Sequence, residues 1–174
     1  MAQARLAWRR ADPDGVGGIG PERLVFLDEC GVLTNMVPLH GRSPRGTRAY
    51  GSAPFGHWTR VTVLGALGTE GIVGAMSVEA ATSAAVFHAY LDEVLLPELR
   101  RTKPDAVLVM DNLPAYSPDL NPIEPAWAKV KAALRRVAAR TADALHEACG
   151  PALAAITAQD AAGFFRHCGY VRPS

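Results

Sequence analysis

Three carboxylates have the residue types and settings that divalent-metal chemistry needs. Asp28 closes the apolar run Leu24–Asp28 (LVFLD), and Asp111 follows a second run, Ala106–Met110 (AVLVM). Reactive groups gather at the carboxyl ends of strands in open α/β sheets. Two such strands side by side bring their aspartates close enough to repel unless a cation neutralises them. Mg²⁺ or Mn²⁺, hard ions that prefer oxygen, are the natural partners. Glu124, at the start of a helix, is the third candidate ligand. Three carboxylates holding two ions activate water or a hydroxyl and stabilise both attacking and leaving oxygens in phosphodiester cleavage. Each residue also has a plainer reading. An aspartate after a strand is often a turn residue or a helix cap. In Asn121-Pro122-Ile123-Glu124, Asn suits an N-cap, Pro the first helical position and Glu the third residue of a capping box. On local evidence alone, capping is the stronger role for Glu124.

The elements that must hold these groups follow from periodicity. Leu24–Asp28 reads as a buried strand. Arg60–Leu67 and Ile72–Val78 are β-rich and separated by a turn at Gly68–Gly71, which predicts a hairpin. The unbroken apolar character of Ala106–Met110 predicts a central strand covered on both faces. Ser83–Arg100 is helical, with Phe87, Tyr90, Leu91, Val94 and Leu95 on one face and Thr82 or Ser83 as cap. After the proline-rich loop Leu113–Pro122, a helix carries Ile123, Trp127, Val130, Leu134 and Val137 at helical spacing. Thr141–Ile156 and Ala158–His167 read as two more helices. The fold class is mixed α/β in one domain. Residues 1–22 form a lead-in, with a helical piece at Ala2–Arg10. Its Gly15, Gly17 and Gly20 match G-x-G-x-x-G, but no strand precedes and no helix follows, so it is a loop.

Composition narrows the function classes. A length of 174 residues suits one domain. An apolar fraction of 49% with 20% charged residues excludes disorder and coiled coil. No apolar run approaches the roughly 18 residues of a spanning helix, and Met1–Arg10 lacks a secretory signal. Cys30, Cys149 and Cys168 form no C-x-x-C, and the five histidines form no H-E-x-x-H; a reducing cytosol fits. The net charge of +1 names no partner, but its distribution does. Between Glu29 and Glu70 there is no acid, only Arg42, Arg45, Arg48 and Arg60. From Pro125 to Ala142 there is again none, with Lys129, Lys131, Arg135, Arg136 and Arg140. Such segments are either phosphate contacts or solvated faces.

Five motifs together resemble one family: FLDE-x-G at 26–31, GRSPRG at 41–46, FGHW at 55–58, VMDN at 109–112 and YSPDLNPIE at 116–124. They are similar to the catalytic domain of bacterial insertion-sequence DDE transposases of the mariner superfamily. The resemblance covers residues 5 to 170, and YSPDLNPIE is its most specific part. It implies an RNase H-like mixed sheet flanked by helices, with the catalytic domain at 23–170. It implies a metal site of Asp28, Asp111 and Glu124 holding two Mg²⁺ or Mn²⁺ ions. It further implies transposition: hydrolysis at a transposon end, then 3′-hydroxyl attack on target DNA. Double-stranded DNA is the expected partner, held through Arg42, Arg45, Arg48, Lys129, Lys131, Arg135 and Arg136 without base readout. Paired subunits usually accompany this chemistry, which points to a homodimer, although no distinct dimer signal is present. The expected location is the bacterial cytoplasm, on the nucleoid.

Two departures qualify the resemblance. Only twelve residues separate Asp111 from Glu124. The family has a helix and a further strand there, which need roughly 20 residues or more. An internal deletion is therefore expected, with a sheet edge exposed, weaker support for the helix of Glu124 and impaired catalysis. The chain also begins close to its first strand, where the family carries helix-turn-helix DNA-recognition segments. A separate reading frame would have to supply them, or the chain is a remnant. The competing expectation is an inactive remnant that binds DNA non-specifically.

Overall fold

The computed structural model describes residues 16–110 and 118–170. After a 3₁₀ turn at Pro21–Arg23 come strands β1 (Leu24–Leu33), β2 (Arg60–Gly68) and β3 (Gly71–Val78). Helical segments α1 (Ala84–Ala89) and α2 (Leu96–Thr102) follow, joined through a π-helical stretch at Tyr90–Leu95. Strand β4 (Val107–Met110), a 3₁₀ turn at Pro118–Leu120, and helices α3 (Ile123–Val137), α4 (Ala142–Ala154) and α5 (Ala158–His167) complete the order. The sheet order is β3-β2-β1-β4. β1 and β2 pair antiparallel, as do β2 and β3, whereas β4 runs parallel to β1. Among the described residues, no helix is long and apolar enough to cross a membrane.

β1 is the keystone because both of its faces are covered. Leu24, Phe26, Cys30 and Val32 join a core with Ile123, Trp127, Val130 and Leu134 of α3 and with α4 and α5. Val25 and Leu27 face the other way, into a core with Tyr90, Leu95 and Leu99. Side chains alternate across a strand, so Asp28 shares the face of Phe26 and Cys30, the face that α3 covers. The β2–β3 hairpin and the Ser83 cap form as the sequence predicts. Ser83 Oγ accepts from Val86 N at 3.3 Å, and Thr141 caps α4 in the same way.

Three expectations change. β4 is not central: among the described residues it pairs only with β1, its Val107–Val109 side chains are half-buried, and Met110 is 44% exposed. An apolar run reports burial of side chains on the faces, not the number of hydrogen-bonded neighbours. β1 continues past Asp28 to Leu33, because pairing with β2 extends it through Leu33↔Arg60. Val137 is exposed, since α3 stops there: Ala138 turns left-handed at φ 53°. The helical piece expected at Ala2–Arg10 lies outside the described residues.

One contact fixes how α3 lies on the sheet. Gly65 of β2 stands opposite Asp28, and the Trp127 ring rests on it. A Cβ at Gly65 would lie 2.6 Å from Trp127 Cη2. Gly65→Ala is therefore expected to lower stability by about 1–3 kcal/mol through overpacking. Pairing it with Trp127→Phe should show positive coupling in a denaturant double-mutant cycle. Additive losses would mean that the ring does not rest there.

Candidate active site

The site grows out of β1 and α3. Asp28 is half-buried, and its Oδ1 accepts from Glu29 N at 2.8 Å. Cys30 follows on the same face. Burial pushes its thiol up to about 11, against the pull of the Lys131 ammonium and with the Asp28 carboxylate adding to the rise. Asp28, Cys30 and Lys131 thus share one neighbourhood between β1 and α3. The last pair of the β1–β4 ladder is Leu27↔Met110, so the next residue in each chain direction is an aspartate, Asp28 and Asp111. Asp111 itself lies outside the described residues.

Glu124 sits in the first turn of α3 and is exposed. The capping box does not form. Asn121 Oδ1 accepts from Ile123 N at 3.3 Å, Glu124 N donates to Asn121 O at 3.2 Å, and Pro122 is the cap residue without a side-chain bond. The Glu124 carboxylate makes no hydrogen bond among the described residues, which leaves it available for other work. Among those residues, no three His, Cys, Asp or Glu side chains gather to hold a metal. Asp28 and Glu124 both offer carboxylate oxygens, the donor set that suits a hard divalent cation.

A chain of contacts links the strand of Asp28 to the helix of Glu124. Phe26 packs edge-on against Phe165 of α5, with centroids 5.5 Å apart, and against Tyr170 at 5.0 Å. Tyr170 Oη donates to Leu120 O at 2.8 Å, just before the start of α3. Sequence reasoning missed this tie and the Trp127 contact with Gly65. Both join residues far apart in the chain, and neither leaves a local signal.

The basic residues divide into two groups. Arg42, Arg45 and Arg48 are exposed in the long β1–β2 connection, and Arg48 lies over the Tyr50 ring at 5.9 Å. Those on α3 and after it are partly engaged. Lys129 Nζ donates to Asp160 Oδ2 of α5 at 2.5 Å. Lys131 faces Cys30. Arg136 is exposed and Arg135 half-buried in the last turn, where cations complement the helix dipole. Arg140 Nη1 donates to Thr34 O at 3.1 Å and Met36 O at 3.0 Å, pinning the root of the β1–β2 connection. A cavity of about 130 Å³ opens there between Arg140, Thr34 and the Phe55–Trp58 stretch.

The profile of the DDE superfamily endonuclease family matches residues 23–115, more than half of the chain. A pre-cleavage Mos1 transpososome aligns with a TM-score of 0.74 at 16% identity, covering 95% of this chain and 58% of that one. The Mos1 mariner paired-end complex with Mn gives 0.61 at 17%, over 84% and 52%. The catalytic domain of Mos1 mariner transposase gives 0.60 at 15%, over 84% and 77%. The chain thus spans little more than half the length of the full transposases it resembles. At these identities the likeness shows the fold, which is the RNase H-like mixed sheet flanked by helices that the sequence predicts. No curated protein sequence matches.

The Lys129–Asp160 contact has a measurable pH signature. Lys129, with Thr157 also donating, holds the Asp160 carboxyl down at about 2. An unfolded aspartate titrates near about 4. The contribution is therefore complete above about pH 4 and fades as pH falls to about 2. Asp160→Asn is expected to melt below the wild type at neutral pH, with the gap closing over that window. A gap that stays constant with pH would rule out the ionic part of this contact.

Proposed function

This chain belongs to the DDE superfamily endonuclease family, and on that premise we propose that it is the catalytic part of a DNA transposase. Residues 23–170 form the catalytic domain and 1–22 a lead-in. Asp28, Asp111 and Glu124 are its three carboxylates. The observation that carries the reading is the β1–β4 register: the ladder ends on Leu27↔Met110, one residue short of each aspartate. Glu124 adds support, since it stays uncommitted at the start of a helix that packs on the Asp28 face of β1.

In this reading the three carboxylates hold two divalent cations, Mg²⁺ or Mn²⁺, which supply charge neutralisation and a more acidic nucleophile when bound. The chain's own groups do the rest. β1, buried on both faces, fixes Asp28. Trp127 and Tyr170 fix the pitch and start of α3, and so the approach of Glu124. Lys131, beside Cys30 and Asp28, adds positive charge where a phosphate would enter. Arg42, Arg45, Arg48, Lys129, Arg135 and Arg136 complete the proposed duplex contacts, with Lys129 released from Asp160 on binding. The partners are transposon ends and target DNA, bound by a homodimer with a separate helix-turn-helix segment, on the bacterial nucleoid.

Two observations favour a slower enzyme. Twelve residues join Asp111 to Glu124, and β4 has a single strand neighbour among the described residues. An internal deletion explains both, and it would loosen a site that needs its ligands held within about half an ångström.

The deciding assay is nicking of a matched transposon-end duplex with Mg²⁺ or Mn²⁺. Slow, metal-dependent nicking is expected, falling to background in Asp28→Asn, Asp111→Asn and Glu124→Gln. Salt-sensitive binding without any nicking would make the chain an inactive remnant. Nicking that survives all three substitutions would remove these carboxylates from the reaction.

A further inference from the structure

The β1–β2 connection contains more than the proposed reaction uses. Every residue from Pro38 to Trp58 is exposed. Long loops without secondary structure in compact domains are usually either functional or linkers, and composition decides between the two. The composition of this one is lopsided. No acid occurs between Glu29 and Glu70, whereas Arg42, Arg45 and Arg48 follow one another at short spacing. Large rings follow them, also in water: Tyr50 is 89% exposed, Phe55 107% and Trp58 55%.

The loop is also locally shaped. Thr47 N and Thr47 Oγ1 both donate to Pro44 O, at 3.1 and 2.8 Å, and Ser43 Oγ donates to Thr47 O at 2.7 Å. This turn presents Arg45 at its tip, with Gly46 at φ 84°. Gly56 at φ 119° sets Phe55 and His57 on either side of a bend that only glycine makes easily.

Charge and rings together select the ligand. Cations alone would suit the backbone of any duplex. A duplex, however, keeps its bases stacked on one another and offers exposed rings nothing to cover. Guanidinium and aromatic groups exposed together on one loop are the make-up of surfaces that hold unpaired nucleotides, rings on bases and cations on phosphates. The same loop of a second copy is a poor occupant, because it would set three arginines against three arginines with no acid between them.

We propose that the 41–58 loop binds unpaired DNA, stacking bases on Tyr50, Phe55 and Trp58 and holding phosphates with Arg42, Arg45 and Arg48. This rests on the transposase reading, in which the chain acts on DNA ends, and it names the DNA form the loop takes. Binding itself needs neither cation nor cleavage.

The test is fluorescence anisotropy of the full chain in EDTA, with a labelled single-stranded oligothymidylate and a blunt duplex of the same length, over a salt series. The Tyr50→Ala/Phe55→Ala/Trp58→Ala variant should lose about tenfold or more for the single strand. Its duplex binding and salt dependence should stay as in the wild type. The Arg42→Gln/Arg45→Gln/Arg48→Gln variant should weaken both ligands and flatten the salt dependence. Tyr50→Phe, which keeps the ring, should bind as the wild type and so separates stacking from misfolding. Unchanged single-strand affinity in the ring variant overturns the proposal. So does a loss shared equally by duplex and single strand. A ring variant that shifts from dimer to monomer in sedimentation also overturns it and gives the surface to a second copy. Single-strand binding that persists while nicking is absent would defeat the catalytic reading and leave this one standing.

Discussion

A strand covered by helices on both faces must carry apolar side chains at successive positions. β1 does so from Leu24 to Leu27 before its chemistry begins at Asp28. That double burial sets the rest. It forces α1 and α2 to one side and α3, α4 and α5 to the other. It leaves the polar positions of the strand to its second half, where the cover thins. A carboxylate placed there is held by a backbone that cannot shift without opening both cores at once. The tight fit of Trp127 on Gly65, opposite Asp28, extends the constraint to α3, the helix that bears Glu124.

Much of this was legible in the chain. Apolar runs located β1, the hairpin and β4, and helical spacing located α3 through Leu134. Ser83 announced its cap, because N-capping is a short-range hydrogen bond between neighbours in sequence. What stayed hidden was long-range or two-dimensional. Glu29 and Gly31 interrupt the apolar pattern of β1, so its second half was set by pairing with β2 rather than by its own residues. The edge position of β4 depends on what lies beside it. The π-helical stretch at Tyr90–Leu95 departs from the period used to find helices, and it comes with a bond from Tyr90 Oη to Gly74 O across the core. At the site, Asp28 and Glu124 were found by their settings. The capping role favoured for Glu124 was not taken, since Asn121 bonds Ile123 instead. Nothing local in Tyr170 signals its bond to Leu120.

Charge read as a total concealed a division of labour. Basic residues in one acid-free segment, Lys129 and Arg140 among them, turn inward to tie helices and a loop root together. Those in the other stay in water beside unburied rings. The same residue type thus does two unlike things, and only the partners decide which. A count of lysines and arginines near a carboxylate site overstates the cations available to a phosphate.

The root of the long β1–β2 connection is closed twice over. Thr34 N donates to Thr59 O at 3.1 Å, Thr59 N donates to Thr34 Oγ1 at 3.0 Å, and Arg140 holds Thr34 O from the far side. With the ends already clasped, the entropy of closing the excursion grows only slowly with its length, by about 0.6 kcal/mol per doubling. The loop can therefore lengthen, shorten or change its residues over evolutionary time while the register that carries Asp28 stays put. Its ligand preference and the carboxylate site are free to diversify on separate schedules.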